Sequence, residues 1–352
     1  MRSDNATGVF AFLLLVLSIL YSAIITMRVR FYQWGLFRTH RLSCKVISIG
    51  NITLGGAGKT PMTIYLAKTL YRLGFRVVIL SRGYKGQLEQ SCSIITDGKT
   101  VFMDPETAGD EPYLMAEKLT GIPIVVGKNR YECGQLAIKK FTPQVILLDD
   151  AFQHLSLYRD INIVLMDFTR PLGNRHVIPR GLLREPAPNV DRSDLVILTR
   201  ADIDHSHSQT VPYVGNKPVF RCRHEPDQLM HTDDNGNIVL FSPDKLTNQK
   251  VYAFSGIANN YDFVQMLSGL QYQITGSSGF DDHHNYSDFD LETIAANAQN
   301  SSAKFIVTTE KDYVKIVKKI NWPLPIFALG IKLNFGLDSQ KFESIIQSKM
   351  VT

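Results

Sequence analysis

A glycine-rich segment between a predicted strand and a predicted helix constrains the fold of this chain more than any other feature. The apolar run Val46–Gly50 leads into the sequence NITLGGAGKTP, and an amphipathic stretch overlaps its end at Pro61–Leu73. Small residues before a helix N-terminus let backbone amides approach phosphate oxygens, and a lysine at the start of the helix can reach the terminal phosphates. The order strand, glycine loop and helix therefore predicts a nucleotide-binding loop.

The loop matches the end of the Walker A pattern G-x-x-x-x-G-K-[ST] but departs from its beginning. Thr53 stands where the pattern has its first glycine, while Gly55 and Gly56 add flexibility. Lys59 is expected to contact the β- and γ-phosphates, and the Thr60 hydroxyl is expected to bind Mg²⁺. The predicted ATP-binding residues are Thr53, Leu54, Gly55, Gly56, Ala57, Gly58, Lys59 and Thr60.

A second apolar run ends in two carboxylates. Val145–Leu148 is followed by Asp149 and Asp150, which is the form of a Walker B strand. An acidic residue on a strand beside the phosphate loop can hold Mg²⁺ directly or through water. The alternative is an acidic cap at a strand end with no role in metal binding. Together the two motifs predict ATP and Mg²⁺ as cofactors.

Short apolar runs alternate with helical patterns through most of the chain. Uninterrupted runs of this kind predict strands of a parallel sheet that is covered on both faces. We therefore expect an α/β fold of the P-loop NTPase type, with a mostly parallel sheet, an N-terminal membrane helix and a second, smaller α/β domain. A tight-turn signal at Asp234–Asn237 predicts a hairpin. The predicted domains are an anchor (1–30), a P-loop core (31–217), a β-hairpin connector (218–248) and a C-terminal α/β domain (249–352).

The N-terminal segment Val9–Thr26 contains eighteen residues without a charge. As a helix it would be about 27 Å long, close to the thickness of a bilayer core. Arg2 and Asp4 are the charges before it, so the basic residues after it predict a retained anchor with the rest of the chain in the cytoplasm. A cleaved signal peptide and a buried core helix are the alternatives. The basic residues are Arg28, Arg30, Arg38, Arg41 and Lys45.

The net charge bears on possible partners, and the cysteine spacing bears on metal binding and on the state of the thiols. The formal net charge is only +5, and the basic segments lack a nucleic-acid motif, so no nucleic-acid partner is expected. Four cysteines without metal-binding spacing are predicted to be free thiols in a reducing compartment. They are Cys44, Cys92, Cys133 and Cys222.

Several polar residues are ambiguous when they are read alone. Asp110 opens a predicted helix, where an aspartate is more often a cap than a catalyst. His283 and His284 lack the further ligands of a zinc site. The basic loop Arg180–Pro186 is either solvated or a clamp for anionic groups, and Thr309–Asp312 has a helix-capping signature.

Eight segments together resemble one family, the tetraacyldisaccharide 4′-kinases of lipid A biosynthesis. They occur in family order, and the resemblance extends over nearly the whole chain. The segments are GNITLGGAGKTP (Gly50–Pro61), LSRGYKG (Leu80–Gly86), GDEP (Gly109–Pro112), LLDDAFQH (Leu147–His154), LLREP (Leu182–Pro186), FSGIAN (Phe254–Asn259), DHHNY (Asp282–Tyr286) and TTEKD (Thr308–Asp312).

The resemblance implies a reaction and a location. The γ-phosphate of ATP would pass to the 4′-hydroxyl of a tetraacylated glucosamine disaccharide 1-phosphate, giving the bis-phosphorylated precursor of lipid A. The nucleotide would lie between a large and a small domain. The active site would face the cytoplasm at the bacterial inner membrane, with the lipid disaccharide and the bilayer as partners. The resemblance leaves protein partners open.

The resemblance also implies roles for individual residues. Asp110 becomes a catalytic base and His283 its dyad partner, which replaces the interpretation of Asp110 as a cap. Lys59 and Thr60 serve the phosphates and Mg²⁺. The residues placed at the metal are Thr60, Asp149, Asp150, Glu111 and Glu185; those placed in the cleft are Arg130, Gln153 and Arg184.

Two departures from the family pattern leave the preferred acyl chains open. Asp281 stands where family members often have proline, and Arg175 and Arg180 add positive charge before the LLREP segment.

Two rival functions share the phosphate loop. A membrane-associated ATPase switch would need a lysine at the position of Leu54. A GTPase would need a lysine at Arg200 within Thr199–Asp202, and arginine does not replace lysine in packing.

Overall fold

The computed structural model describes residues 8–84, 86–201, 203, 211–233, 235–317 and 319–351. The predicted features at Arg2, Asp4, Asp202 and Asp234 therefore lie outside the described residues. The helices are α1 Gly8–Gln33, α2 Lys59–Arg72, α3 Pro105–Ala108, α4 Asp110–Lys118, α5 Arg130–Phe141, α6 Asn260–Gly269, α7 Asp288–Asn300, α8 Glu310–Ile316 and α9 Ser339–Val351.

The strands fall into two sheets. They are β1 Lys45–Asn51, β2 Val77–Ser81, β3 Ser93–Thr96, β4 Ile124–Val126, β5 Val145–Leu148, β6 Ile161–Asp167, β7 Leu195–Thr199, β8 Val219–Arg221, β9 Arg223–Thr232, β10 Ile238–Phe241, β11 Lys250–Ser255, β12 Gln273–Gly279, β13 Phe305–Thr309 and β14 Ile326–Asn334. Short 3₁₀ turns occur at Ala187–Arg192, Pro243–Leu246 and Gly336–Asp338.

The chain forms two compact units. The first comprises Met1–Met103, Met115–His224 and Leu333–Thr352, and the second comprises Asp104–Leu114 and Glu225–Lys332. These limits differ from the predicted domains, because a short segment before Leu114 belongs to the second unit and the last helix belongs to the first. The predicted domain limits stay a prediction.

An eight-stranded sheet forms the centre of the first unit, in the order β3-β4-β2-β5-β1-β6-β7-β8. All of its neighbouring strands pair in parallel except β3 with β4. Strand β5 is buried at every residue, as its uninterrupted apolar run predicts. Because β1 and β5 are parallel neighbours, the glycine loop after β1 and the acidic pair after β5 emerge at the same edge.

A six-stranded sheet forms the second unit, in the order β10-β9-β14-β13-β11-β12. Strands β11, β12, β13 and β14 pair in parallel, and the predicted hairpin strands β9 and β10 pair antiparallel at one edge. The segments after β11 and β13 leave from neighbouring strands. The prediction of an α/β fold with mostly parallel sheets and a smaller α/β part is confirmed.

Helix α1 is longer than the uncharged segment from which it was predicted. In the part of the chain that the structure describes, it is the one helix long and apolar enough to cross a membrane by length and composition. Many of its large apolar side chains are exposed, which marks a surface for lipid or another apolar partner. They include Val9, Phe10, Phe12, Leu13, Leu17, Ile19, Leu20, Ile24 and Met27.

One side of α1 packs against the segment 177–184 of the first unit, which includes the start of the basic loop. The buried Ser18 hydroxyl donates to the Val177 carbonyl, and the Tyr21 hydroxyl donates to the Arg184 carbonyl at 3.0 Å. The Arg180 guanidinium donates to the Ala11 carbonyl at 3.0 Å. The helix is therefore attached to the folded unit along part of its length.

The prediction of four free thiols is wrong for two cysteines. Cys92 and Cys133 form a disulfide, with their Cα atoms 5.1 Å apart. Their separation of 41 residues hides this proximity in the sequence, and only the packing of α5 beside the segment before β3 brings them together. Cys44 and Cys222 are free, and burial raises the pKa of Cys222 to about 12.

Candidate active site

The glycine loop adopts a backbone that two of its glycines make possible. Gly55 and Gly58 have φ values of 106° and 80°, in the left-handed region that disfavours larger residues. Gly58 is the N-cap of α2, so the loop ends at a helix N-terminus that carries partial positive charge. A side chain at Gly58 would also approach the imidazole of His224 to 2.7 Å.

Thr53 replaces the first Walker glycine because its backbone needs no unusual conformation. It forms an antiparallel β-bridge with Leu183, and the Leu54 amide donates to the Leu182 carbonyl at 2.7 Å. The Asn51 side chain donates to the Thr53 carbonyl at 2.6 Å. The start of the loop is therefore held as extended chain against the LLREP segment.

Arg200 supports the middle of the loop. Its Nη2 donates to the Gly56 carbonyl at 2.6 Å, and its Nη1 lies 2.6 Å from Oδ2 of Asp167. Asp167 ends β6 and Arg200 follows β7, which are parallel neighbours. In the sequence, Arg200 stands only in a rival guanine-reading motif, and nothing in that motif indicates its contact with the loop.

His224 lies beneath the same loop as a neutral imidazole. Burial, and then the nearby charge of Arg200, lowers the pKa of His224 to about 4. Its Nε2 is buried and has no hydrogen-bond partner among the described residues. The sequence contains no motif around His224 that indicates this position.

The two predicted acidic residues have different surroundings. Asp149 is buried, and its carboxylate accepts from the Thr63 hydroxyl at 2.9 Å and the Ser81 hydroxyl at 3.2 Å. Asp150 faces basic groups: Nη1 of Arg184 lies 2.9 Å from Oδ1, and Nζ of Lys59 lies 3.7 Å from Oδ2. Burial alone would raise the pKa of Asp150, but Lys59 and Arg184 hold it below its ordinary value.

Glu185 and Gln153 belong to a hydrogen-bonded network at the end of β1. Oε2 of Glu185 contacts Arg192 and accepts from Asn189 at 2.8 Å, while Oε1 accepts from Gln153 at 2.8 Å. Gln153 also donates to the Asn51 carbonyl at 2.9 Å. These partners favour a structural role for Glu185, which supports the LLREP segment beside the loop.

Arg130 lies under the acidic strand end. It is 3% exposed, contacts the Gly127 carbonyl and donates to the Asp149 carbonyl at 3.5 Å. Burial lowers the pKa of its guanidinium to about 10, so it remains charged at neutral pH. Arg130 therefore supplies positive charge behind the two carboxylates.

The residues at the loop fit Mg²⁺ by their chemistry. The described chain holds no group of three or more His, Cys, Asp or Glu side chains that could hold a metal by themselves. Mg²⁺ commonly takes one or two carboxylates and completes its oxygen shell with water and substrate phosphates. Thr60, Asp149 and Asp150 supply only oxygen donors, which suits that kind of site.

A second cluster of charged residues lies in the second unit. His283 Nδ1 lies 3.6 Å from Oδ2 of Asp110, and Lys315 Nζ lies 2.8 Å from the same oxygen. Burial would raise the pKa of Asp110, but the hydrogen bond from His283 and the charge of Lys315 lower it. His283 has a φ of 58°, a left-handed conformation that is uncommon away from glycine.

Lys311 completes this cluster. Its Nζ lies 3.0 Å from Nε2 of His283 and 3.1 Å from Oδ1 of Asp282. Oε1 of Glu111 lies 3.7 Å from the same ammonium group. Neither Lys311 nor Lys315 was predicted as a site residue; their spacing of four residues places them on one face of α8.

The second histidine and the capping segment have structural partners. His284 Nε2 lies 3.1 Å from Asp290, and its ring stacks on Phe280. The Thr309 side chain accepts from the Asp312 amide as the N-cap of α8, which confirms the capping signature. Asp312 is fully buried and accepts from the Gly256 amide at 2.8 Å.

The loop of the first unit, with its helix N-terminus, lysine and acidic strand, defines a nucleotide-binding protein of the P-loop class. The family model described as LpxK, tetraacyldisaccharide-1-P 4′-kinase, matches residues 10–351. The chain therefore belongs to the tetraacyldisaccharide 4′-kinase family.

Individual relatives agree with this assignment. The chain is 42% identical over 357 residues to the tetraacyldisaccharide 4′-kinase of Desulfatibacillum aliphaticivorans, covering 99% of this chain and 96% of the relative. It is 38% identical to the enzyme of the same name from Syntrophus aciditrophicus, over 99% and 95% of the two chains. Among solved structures, Aquifex aeolicus LpxK in complex with ATP is similar, with a TM-score of 0.77 and 34% identity over 96% of this chain and 98% of that one.

Proposed function

We propose that this protein transfers the γ-phosphate of ATP to the 4′-hydroxyl of a tetraacyldisaccharide 1-phosphate, giving the bis-phosphorylated lipid A precursor. The observation that carries the proposal is the family match over residues 10–351. The arrangement of Lys59, Asp150 and Arg184 at a helix N-terminus supports it, because phosphoryl transfer depends on positioning and on charge stabilisation.

The first unit supplies the nucleotide site. Backbone amides at the start of α2 and the ammonium group of Lys59 bind the phosphates. When ATP binds, Lys59 leaves its contact with Asp150 and contacts the γ-phosphate. Thr60, Asp149 and Asp150 would hold Mg²⁺, which neutralises charge on the phosphates when bound. Gln153, Arg130 and Arg184 keep this edge of the sheet in place.

The second unit supplies the base. Asp110 takes the proton of the sugar hydroxyl as the bond between that oxygen and the γ-phosphorus forms and the bond to the β-phosphate oxygen breaks. The electron pair of the broken bond leaves on ADP. His283 and Lys315 stabilise the Asp110 carboxylate before the reaction. The observed partners of Glu111, which are His283 and Lys311, favour an electrostatic role for it over metal binding.

Helix α1 is proposed to hold the protein at the bacterial inner membrane, with the remaining chain in the cytoplasm. Its exposed apolar side chains and the basic residues after it support this orientation. Its contacts with the catalytic unit also support it: Arg28 donates to the Gln153 carbonyl at 3.3 Å, and Tyr21 donates to the Arg184 carbonyl. A lipid substrate would thus meet the phosphate loop near the bilayer surface.

The test is transfer of labelled γ-phosphate from ATP to the lipid disaccharide in detergent. We expect label in the lipid with the wild-type protein and a loss of at least about 100-fold with Lys59→Ala. Lys68→Ala, an exposed lysine on the same helix, is the matched control and should retain activity. Folded wild-type protein that hydrolyses ATP without labelling the lipid would overturn the kinase in favour of an ATPase switch.

A further inference from the structure

We infer that Lys311 is a positioning residue that selects the tautomer of His283 in which Nδ1 carries the proton and faces Asp110. The inference rests on the proposed role of Asp110 as the base. All of the contacts that carry it lie within the second compact unit.

The ammonium group of Lys311 lies between groups of opposite charge. Its Nζ has two carboxylates nearby, Asp282 at 3.1 Å and Glu111 at 3.7 Å, which stabilise an ammonium group. An ammonium group has three donors and no acceptor. The atom 3.0 Å away, Nε2 of His283, must therefore accept a hydrogen bond and cannot carry a proton.

The protonation of the other ring nitrogen, Nδ1, then follows. A neutral imidazole carries one proton, so an unprotonated Nε2 leaves that proton on Nδ1. Nδ1 lies 3.6 Å from Oδ2 of Asp110 and so directs its N–H toward the carboxylate. In the opposite tautomer, a lone pair would face the Asp110 carboxylate and an N–H would face the ammonium group. The Glu111 carboxylate lies 3.9 Å from Nε2 and would favour that N–H less, because the ammonium group is closer, at 3.0 Å.

Helix α8 places two lysines against the dyad from one side. Lys311 and Lys315 are four residues apart and share a helix face. Lys311 contacts His283, and Lys315 contacts Asp110 at 2.8 Å. The Thr309 cap and the buried Asp312 hold the start of this helix in place.

This arrangement has a consequence for the base. His283 Nδ1 and Lys315 both contact Oδ2 of Asp110. The lone pairs of Oδ1 are then the ones available for the proton of the sugar hydroxyl. Loss of Lys311 would free the imidazole to adopt the Nε2–H form, which imidazoles favour in water, and the orientation of Asp110 would be lost with it.

The experiment compares Lys311→Met, Lys311→Arg and Lys319→Met in the full-length protein. Lys319 lies beyond α8 and contacts Glu106 at 3.9 Å, so Lys319→Met is the matched control. Histidine-selective ¹⁵N labelling reports the tautomer, with the His283 signals assigned by their loss in His283→Gln. Steady-state kinetics with the lipid disaccharide report kcat and KM.

We expect the wild type and Lys319→Met to show a protonated Nδ1 and an unprotonated Nε2. Lys311→Met should shift His283 toward the Nε2–H form and lower kcat by roughly 10- to 100-fold, with an unchanged KM for ATP. Lys311→Arg keeps a donor and should restore the tautomer and part of kcat.

An unchanged tautomer and kcat in folded Lys311→Met would overturn the inference. Thermal unfolding identifies a variant that loses activity only because it is unfolded. If Lys311→Met is unfolded, the tautomer of His283 in Lys311→Arg tests the inference, and an Nε2–H form there would overturn it. Failure of the proposed role of Asp110 has another signature, namely full activity in Asp110→Asn, and failure of the proposed function itself is folded wild-type protein that leaves the lipid unlabelled. If Asp110→Asn is inactive while Lys311→Met is unaffected, only the role of Lys311 is wrong.

Discussion

Lys59 Nζ lies 3.7 Å from Oδ2 of Asp150, so the lysine of the phosphate loop is paired with the second residue of the acidic strand end. Arg184 contacts the same carboxylate at 2.9 Å and 3.1 Å. The three charges lie where parallel strands β1 and β5 end, so one carboxylate balances two cations beside the nucleotide loop.

Replacing Asp150 with Asn should lower kcat/KM for ATP by at least about 100-fold, because the negative charge that pairs with Lys59 and Arg184, and that would bind Mg²⁺, is lost. Asp191→Asn is the control, since its side chain is 83% exposed and its ion pair with Lys217 lies at the surface. Steady-state kinetics at saturating lipid would measure the effect. Activity equal to that of the wild type would contradict the role of Asp150.

Replacing Arg200 with Met should raise KM for ATP by about 10-fold, because the Gly56 carbonyl loses a charged donor and the loop loses its support. The expected change in kcat is smaller, since Arg200 is not placed at the reacting atoms. Arg170→Met, an exposed arginine after the neighbouring strand β6, is the control. Nucleotide affinity measured by calorimetry should follow KM, and an unchanged affinity would show that the loop does not depend on Arg200.

His224 should make the protein less stable as the pH falls from about 6.5 to about 4. Burial lowers its pKa from 6.5 to about 4, so in this window the unfolded chain binds a proton that the folded chain does not. The free energy of unfolding then rises with pH. Urea unfolding across this window should show a shallower pH dependence for His224→Gln than for the wild type. Equal slopes for the two proteins would contradict a buried neutral His224.

The disulfide should be visible in a thiol count. Unfolded protein without reductant should expose two thiols, from Cys44 and Cys222, and reduced protein should expose four. Cys133→Ser should lose about 4 kcal/mol of stability under oxidising conditions, because the bond closes a loop of 41 residues. Under reducing conditions the two proteins should differ much less. Four reactive thiols without reductant would contradict the bond.

The main features of the first unit can be predicted from local sequence patterns. These features are short-range signals in the sequence: the glycine loop, the acidic strand end and the apolar runs. A buried parallel strand needs apolar residues throughout, and a phosphate loop needs small residues. No local pattern explains why Thr53 is tolerated in the loop. Its bridge to Leu183 joins segments that lie far apart in the chain.

Other contacts depend on the tertiary structure alone. The Cys92–Cys133 bond, the Arg200–Gly56 contact and the position of His224 join residues from different strands and loops, and no local pattern encodes such pairings. The residue that a neighbouring strand presents is set by sheet order and register, which follow from the packing of the whole unit.

Asp110 shows most clearly the difference between local sequence patterns and tertiary contacts. Its neighbours in the chain predict that it is a helix cap. Its catalytic role was predicted only from the resemblance to a family. The structure places it 2.8 Å from Lys315 and 3.6 Å from His283, residues more than 170 positions later. Local spacing is enough to predict the phosphate loop, the α/β fold and the apolar N-terminal helix. The charges around Asp110 were decided only by tertiary structure, because folding must first bring α8 and the loop of His283 to the start of α4.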